Sequence, residues 1–401
     1  MTRLDLKTAG ESHGRGLVAL LTGLPAGLPV DLPSLNADLR RRQLGHGRGD
    51  RMKIESDEGE ILAGVRHGHT TGAPVALLVW NRDFAVWQAD MAAHLAPGQE
   101  PTRPPLRRPR PGHADLAGGM KFGHYDLRDV LERASARETA ARVAAGAVCR
   151  QLLARFGVVL RSRVLFIGSA SAPAADLESR GPLDDVWQTI ESSPVRTDDP
   201  EAEAAMVSAI DAARAEGDTL GGVGEVIAFG VPPGLGSYTS WDARLDGALA
   251  AALMSIPSVK AVEIGDGLAS ARLPGSQVHD EIVPDSMRPY GAGRASNRAG
   301  GVEGGVSNGE PIVLRVAFKP IPTLVRPLGS MNLDSHQSQP AHHERSDVCI
   351  VPAGCVVAEA MTALALADAL LVKFGGDHLD DTVAAFEHYL HRLGVRPHGS
   401  V

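Results

Sequence analysis

The chain has 401 residues, 43% of them hydrophobic, enough for a sizeable core, and carries a formal net charge of −8. No run of about 18 uncharged apolar residues occurs, and the opening MTRLDLKTAGESHG holds no continuous apolar segment, so neither a membrane-spanning helix nor a secretory signal is expected. An acidic chain with locally clustered cations argues against nucleic-acid partners, and three cysteines (Cys149, Cys349, Cys355) without metal-type or paired spacing fit a reducing cytoplasm.

In chain order, residues 14–22 read as a strand, followed by a turn at Leu24-Pro25-Ala26-Gly27. Residues 33–43 read as a helix with Pro33 or Ser34 at its start, ended by Gly45, Gly47 and Gly49. Strands are expected within 52–66 and at 74–80. Residues 86–112, rich in Pro and Arg, form a loop longer than ordinary connections, one that orders around a ligand. The clearest helix spans 135–156, with Ser135 and Glu138 forming a capping box and Ala140, Val143, Ala147 and Leu152 a narrow apolar stripe. Further strands are expected at 160–169, 223–231 and 312–318, and further helices at 199–216, 242–255 and 356–371. Elements in mixed order, without the regular alternation of a parallel sheet, predict one α+β domain over 1–401. With aromatics at 4% and 45 glycines, close backbone packing has to replace large side chains.

The arginines are clustered: Arg40, Arg41, Arg42, Arg48 and Arg51; then Arg103, Arg107, Arg108 and Arg110; then Arg128, Arg133, Arg137 and Arg142. Guanidinium groups suit bidentate capture of phosphate and carboxylate, so a small polyanionic ligand is expected. Five segments carry candidate chemistry. Gly10-Glu11-Ser12-His13-Gly14 presents an imidazole at a glycine turn, an arrangement that, taken alone, is more often structural than catalytic. Arg110-Pro111-Gly112-His113-Ala114-Asp115 places a histidine where it can donate to a leaving phosphate, unless it is a solvated loop residue. Arg133-Ala134-Ser135 flanks a helix start suited to anions. The Gly-rich run 296–305 and the nearby Lys319-Pro320-Ile321-Pro322-Thr323 suit either a flat phosphorylated cofactor or tight turns. His343-Glu344-Arg345-Ser346-Asp347 is either a surface ion pair or a proton relay. His67-Gly68-His69 and His342-His343 lack zinc spacing, so no metal site is expected.

Each motif is modest alone, but their set and order are specific. GESHG, RRQLGHGRGDRMKIESD, RPRPGHAD, LERASARETAARVAAGAV, GDTLGG, VEIGDG, SNRAGGVEGG, KPIPT and RSDVCIVPAG together resemble the chorismate synthase family, from Thr8 to about Gly376. The resemblance implies a sandwich of antiparallel sheets around a helical layer. It implies elimination of phosphate from 5-enolpyruvylshikimate 3-phosphate to give chorismate, the last common step toward aromatic amino acids. Reduced FMN is the implied cofactor, without net redox, and NADPH serves only to reduce it. A homotetramer and an external flavin reductase are implied partners, with no membrane.

Carried over residue by residue, His13 matches the histidine that protonates or hydrogen-bonds the flavin, His113 the one that assists phosphate departure, and Asp347 the relay for the proton taken up at flavin N5. The FMN segments correspond to Arg133, Ala134 and Ser135, to Pro257 and Ser258, to Gly304, to Lys319 through Thr323 (with Pro320, Ile321 and Pro322 between), and to Arg345. Arg42 and Arg48 match the phosphate and nicotinamide-nucleotide positions, and Ser12, Arg110 and Arg137 further substrate contacts. Ala134 stands where many members have Ser, Ala261 where many have Gly, and residues 334–341 depart from the family pattern; none of these is a reacting group. Two other classes use the same residues differently. A nucleotide-binding regulatory protein would bind without releasing phosphate, and a flavin reductase would consume NADPH, although no Rossmann fingerprint is present.

Overall fold

Strand β1 (Asp5–Ala9) pairs antiparallel with β2 (Gly16–Thr22), and the turn between them carries GESHG. These coordinates, a computed structural model, describe residues 3–49 and 55–394. Helix α1 (Leu32–Gln43) begins where Asp31 accepts from the Ser34 N–H at 2.8 Å, with Pro33 in the first turn, where its missing N–H costs nothing. Strands β3 (Gly59–Ala63) and β4 (Val75–Trp80) complete a first sheet in the order β1-β2-β4-β3. Arg51 and residues 52–54 of the expected strand lie outside the described residues. The basic loop expected over 86–112 begins one residue later, after a 3-10 turn at Arg82–Val86, and no helix or strand occupies 87–114; helices α2 (Asp115–Phe122) and α3 (Arg128–Arg133) follow it.

Helix α4 (Thr139–Ala154) starts four residues later than expected, and the capping box does not form. Ser135 instead caps a one-turn 3-10 segment (Ala136–Glu138), accepting from the Arg137 N–H. The Glu138 carboxylate is drawn away by Arg142, at 2.9 Å, and by the Thr8 hydroxyl, at 2.6 Å. The helix is also buried on nearly every side rather than along a narrow stripe, because it lies between a sheet and another helix. Strands β5 (Val159–Ile167) and β6 (Ala170–Ser171), helix α5 (Pro200–Glu216), strand β7 (Gly222–Phe229), helix α6 (Leu245–Met254) and strands β8 (Val259–Ile264) and β9 (Ile312–Phe318) follow. They build a second antiparallel sheet in the order β8-β9-β7-β5-β6. Helix α7 (Val351–Phe374) begins five residues before the expected 356, since Pro352 sits in its first turn and does not break it. Helix α8 (Leu379–Arg392) closes the described chain.

Helix α4 packs on β2 and β4 of the first sheet, α7 on β5 and β7 of the second, and the two helices pack on each other with α1 and α6 alongside. The architecture is therefore the expected sandwich of antiparallel sheets around a helical layer. One cluster of buried side chains runs from Leu17 and Leu77 through Val148 and Leu366 to Val226 and Leu314. The glycine content has a structural use here: a Cβ on Gly146 of α4 would lie 2.5 Å from the Ala360 Cβ of α7. Among the described residues α7 is the one helix long and apolar enough to cross a membrane, but most of it is buried inside the protein. Its Glu359 is fully buried and bonded to Arg41, Arg150 and Ser162.

Candidate active site

A cavity of about 350 Å³, within the range of small-molecule sites, opens where the β1–β2 turn, the α3–α4 junction, the segment after α1 and the N-terminal end of α7 meet. His13 and His113 both line it and are held alike. The His13 Nδ1–H donates to Glu132 at 2.8 Å, and the His13 backbone N–H reaches the same carboxylate at 2.7 Å. The His113 Nδ1–H donates to Asp115 at 2.6 Å. A carboxylate acceptor fixes the proton on Nδ1 and leaves Nε2 as the exchangeable nitrogen of each ring. Asp115 also takes a two-pronged contact from Arg110, at 2.9 and 3.1 Å, whose third nitrogen reaches the Thr323 hydroxyl. Burial opposes ionisation of Asp115, but the His113 and Arg110 hydrogen bonds outweigh it and hold the carboxyl well below its ordinary value.

Opposite lie two arginines joined by one acid. Arg42 and Arg137 each bind a different oxygen of Asp57, at 2.8 and 2.6 Å, and Arg137 is steadied further by the Asn81 carbonyl. Burial lowers the Arg42 guanidinium to about 10 in spite of Asp57. Its Nε–H is buried with no partner among the described residues, a donor that an anion in the cavity would satisfy. Asp347 is fixed through both oxygens, by Arg48 at 2.7 Å and by the Gly49 N–H at 2.6 Å. Lys319 is the lining cation with no acidic partner among the described residues; burial, and after it Lys260, lowers its ammonium. Between these charges lies an apolar surface from Ile256, Pro257, Phe318, Ile350 and Val357, backed by the α7 N-terminus with its partial positive charge. Ser258, in the left-handed region at φ 74°, turns the chain here and accepts from the Lys319 N–H. A flat, anionic, phosphorylated ring system fits this donor set: an apolar slot with an unsatisfied guanidinium N–H, and the Lys319 ammonium, which donates to the Gly112 carbonyl but meets no acid among the described residues.

Of the residues singled out in the sequence, Ser12, His13, Arg42, Arg48, Arg110 and His113 line the cavity; so do Ala134, Ser135, Arg137, Pro257 and Ser258, and Lys319, Ile321, Pro322, Thr323, Arg345 and Asp347. Three do not. Arg133 points outward and binds the Thr8 carbonyl and hydroxyl, each at 2.9 Å. Pro320 lies outside the lining, and Gly304 sits in the hairpin between Val302–Glu303 and Val306–Ser307. The basic clusters also disperse: Arg103 pairs with Asp90, Arg107 with Asp334, and Arg142 with Glu138. Sequence reasoning missed Glu132 and Asp57 as anchors. It gave Asp115 no role either, although an acid two residues after His113 was the available signal.

A family model described as chorismate synthase matches residues 4–371. The chain is 55% identical over 395 residues to a chorismate synthase of Symbiobacterium thermophilum, covering 97% of this chain and 99% of that protein. It is 52% identical over 389 residues to one of Carboxydothermus hydrogenoformans, covering 96% and 98%. A crystal structure of a chorismate synthase, 42% identical, superposes with a TM-score of 0.77 over 97% of this chain and 98% of that one.

Proposed function

This chain belongs to the chorismate synthase family, carbon–oxygen lyases acting on phosphates, and from that we propose that it expels phosphate from 5-enolpyruvylshikimate 3-phosphate in the cavity described, with reduced FMN bound there. The observation that carries the proposal is the pair of carboxylate-held imidazoles facing one cavity whose arginines are already fixed by acids. When bound, reduced FMN supplies the electron density that lets phosphate leave and ends in its starting oxidation state.

The residues of the chain supply the rest. His113, protonated at Nε2, donates to the departing phosphate oxygen, while Asp115 stabilises the imidazolium. His13, whose Nδ1–H is held by Glu132, offers Nε2 to the ring system as the nitrogen that gains and gives up a proton. Asp347, oriented by Arg48 and Gly49, takes on the proton that leaves the substrate ring. Arg42, Arg137 and Lys319 receive the anionic groups of substrate and cofactor. Because the arginines are held by Asp57 before any ligand arrives, little reorganisation is needed on binding. Family membership further supports a homotetramer served by an external flavin reductase, and three buried, unpaired cysteines support a reducing cytoplasm.

Anaerobic assay of phosphate release with pre-reduced FMN, with and without NADPH, tests the proposal. Release that needs reduced FMN but not NADPH is expected. Ligand binding without release would identify a regulatory protein, and NADPH consumption without release a flavin reductase.

A further inference from the structure

We propose that Trp87 is a positioning residue for His13, setting the plane of the imidazole whose Nδ1 Glu132 holds; the proposal rests on His13 acting in the reaction above. Trp87 is 6% exposed although it opens the irregular stretch after residue 86, and its neighbour Val86 is 67% exposed. Its indole belongs to none of the three buried hydrophobic clusters. It is buried instead against the site: its ring stacks on His13 with centroids 4.1 Å apart and planes 24° from parallel. The Arg103 guanidinium lies 3.8 Å and that of Arg128 5.3 Å from the indole centroid, both within cation–π range.

Two links fix the indole where it is. Asn81, a few residues upstream, donates to the carbonyls of Glu11 and Gly14 at 3.0 and 2.8 Å, tying this segment to the turn that carries His13. Downstream, Asp90 accepts from the backbone N–H groups of Thr102 and Arg103 and pairs with the Arg103 guanidinium, which holds that cation over the indole.

The geometry explains why such a residue is needed. The two Glu132 oxygens, 2.8 and 3.0 Å from Nδ1, act at one edge of the ring, and coupled turns about the two side-chain bonds can still tilt the ring plane while these contacts are kept. A second constraint across the ring face removes this freedom, so Nε2 points in one direction. The charged groups around the imidazole (Glu132, Arg128 and Glu344) set its electrostatics, whereas Trp87 sets its orientation.

Full-length Trp87→Ala and Trp87→Phe variants test this with two readouts. The first is the rate at which diethyl pyrocarbonate acylates the free ring nitrogen of each histidine, read by peptide mass mapping. The second is the split between kcat and KM. In Trp87→Ala the acylation of His13 is expected to rise several-fold while that of Asp115-held His113 stays unchanged, and kcat to fall by roughly 10²-fold with little change in KM, the scale of a small misplacement at a reacting group. Trp87→Phe, which keeps a stacking face, is expected to behave as wild type in both. Equal rises at His13 and His113, no change at His13, or a Phe variant as impaired as the Ala variant would each overturn the proposal. Selective acylation of His13 with normal kcat would support the hold on the ring and count against His13 acting in the elimination.

Discussion

His13 and His113 come from different parts of the chain and use the same device: a carboxylate on Nδ1 and a free Nε2 toward the cavity. Replacing either by Ala is expected to lower kcat by about 10²- to 10⁴-fold, the range for general acid–base groups, and steady-state turnover by either variant at the wild-type rate would refute the assignment. Asp115→Asn is a subtler change. An amide can donate to Nδ1 as well as accept from it, so the other tautomer becomes available; kcat is expected to fall by up to about 10⁴-fold while KM moves little. An unchanged kcat would mean that Asp115 serves the fold and not the chemistry. Histidines set among glycines stand out in a sequence, so His13 and His113 were legible there. Glu132 and Asp57 were not, because each takes its meaning from a partner far along the chain: Glu132 lies 119 residues from His13, and Asp57 lies 80 residues from Arg137.

At the scale of elements, helix α7 carries two features its apolar composition conceals. The first is Glu359, bonded to Arg41 and Arg150 across the helical layer and to Ser162 of β5. Burial alone would raise this carboxyl, but the attraction of Arg41 and Arg150 outweighs it and brings the value down to about 2. Since the folded value lies below the ordinary 4.5, the stabilisation is in full above about pH 4.5 and is lost as pH falls toward 2. Melting temperature measured against pH is expected to drop across that window, and to drop less steeply in Glu359→Gln. Glu359→Leu takes away the buried acid that Arg41 and Arg150 share and leaves Arg41 with Asp38 and Glu191 and Arg150 with Asp38, so a loss of up to about 3–5 kcal/mol is expected, read from denaturation midpoints; a neutral outcome would show that the remaining acids suffice. The second feature is contact with α4 through Gly146. Adding one methyl there by Gly146→Ala drives it into Ala360, so a loss of about 1–3 kcal/mol is expected in spite of the better helix propensity of Ala. The long helices were visible from periodicity, but their ends were not: the last long helix was expected from 356 and begins at Val351, and Glu138 looked like a capping partner and proved to bind Arg142.

In the whole molecule, the cavity forms where segments near residues 13, 42, 113, 135, 257, 320 and 347 converge between two sheets and a helical layer. The sandwich came from family resemblance and not from the order of elements, since mixed strands and helices specify a class but not a layering. The dispersal of the arginines was equally hidden: three clusters in the sequence became separate ion pairs, and only part of each faces the cavity. Crystals of the full-length protein soaked with FMN and 5-enolpyruvylshikimate 3-phosphate test the convergence most directly. Both molecules are expected in the one cavity, with the substrate phosphate against His113 and the ring system between His13 and Asp347. Ligands seated elsewhere, or any of these three side chains out of reach of both molecules, would contradict the account.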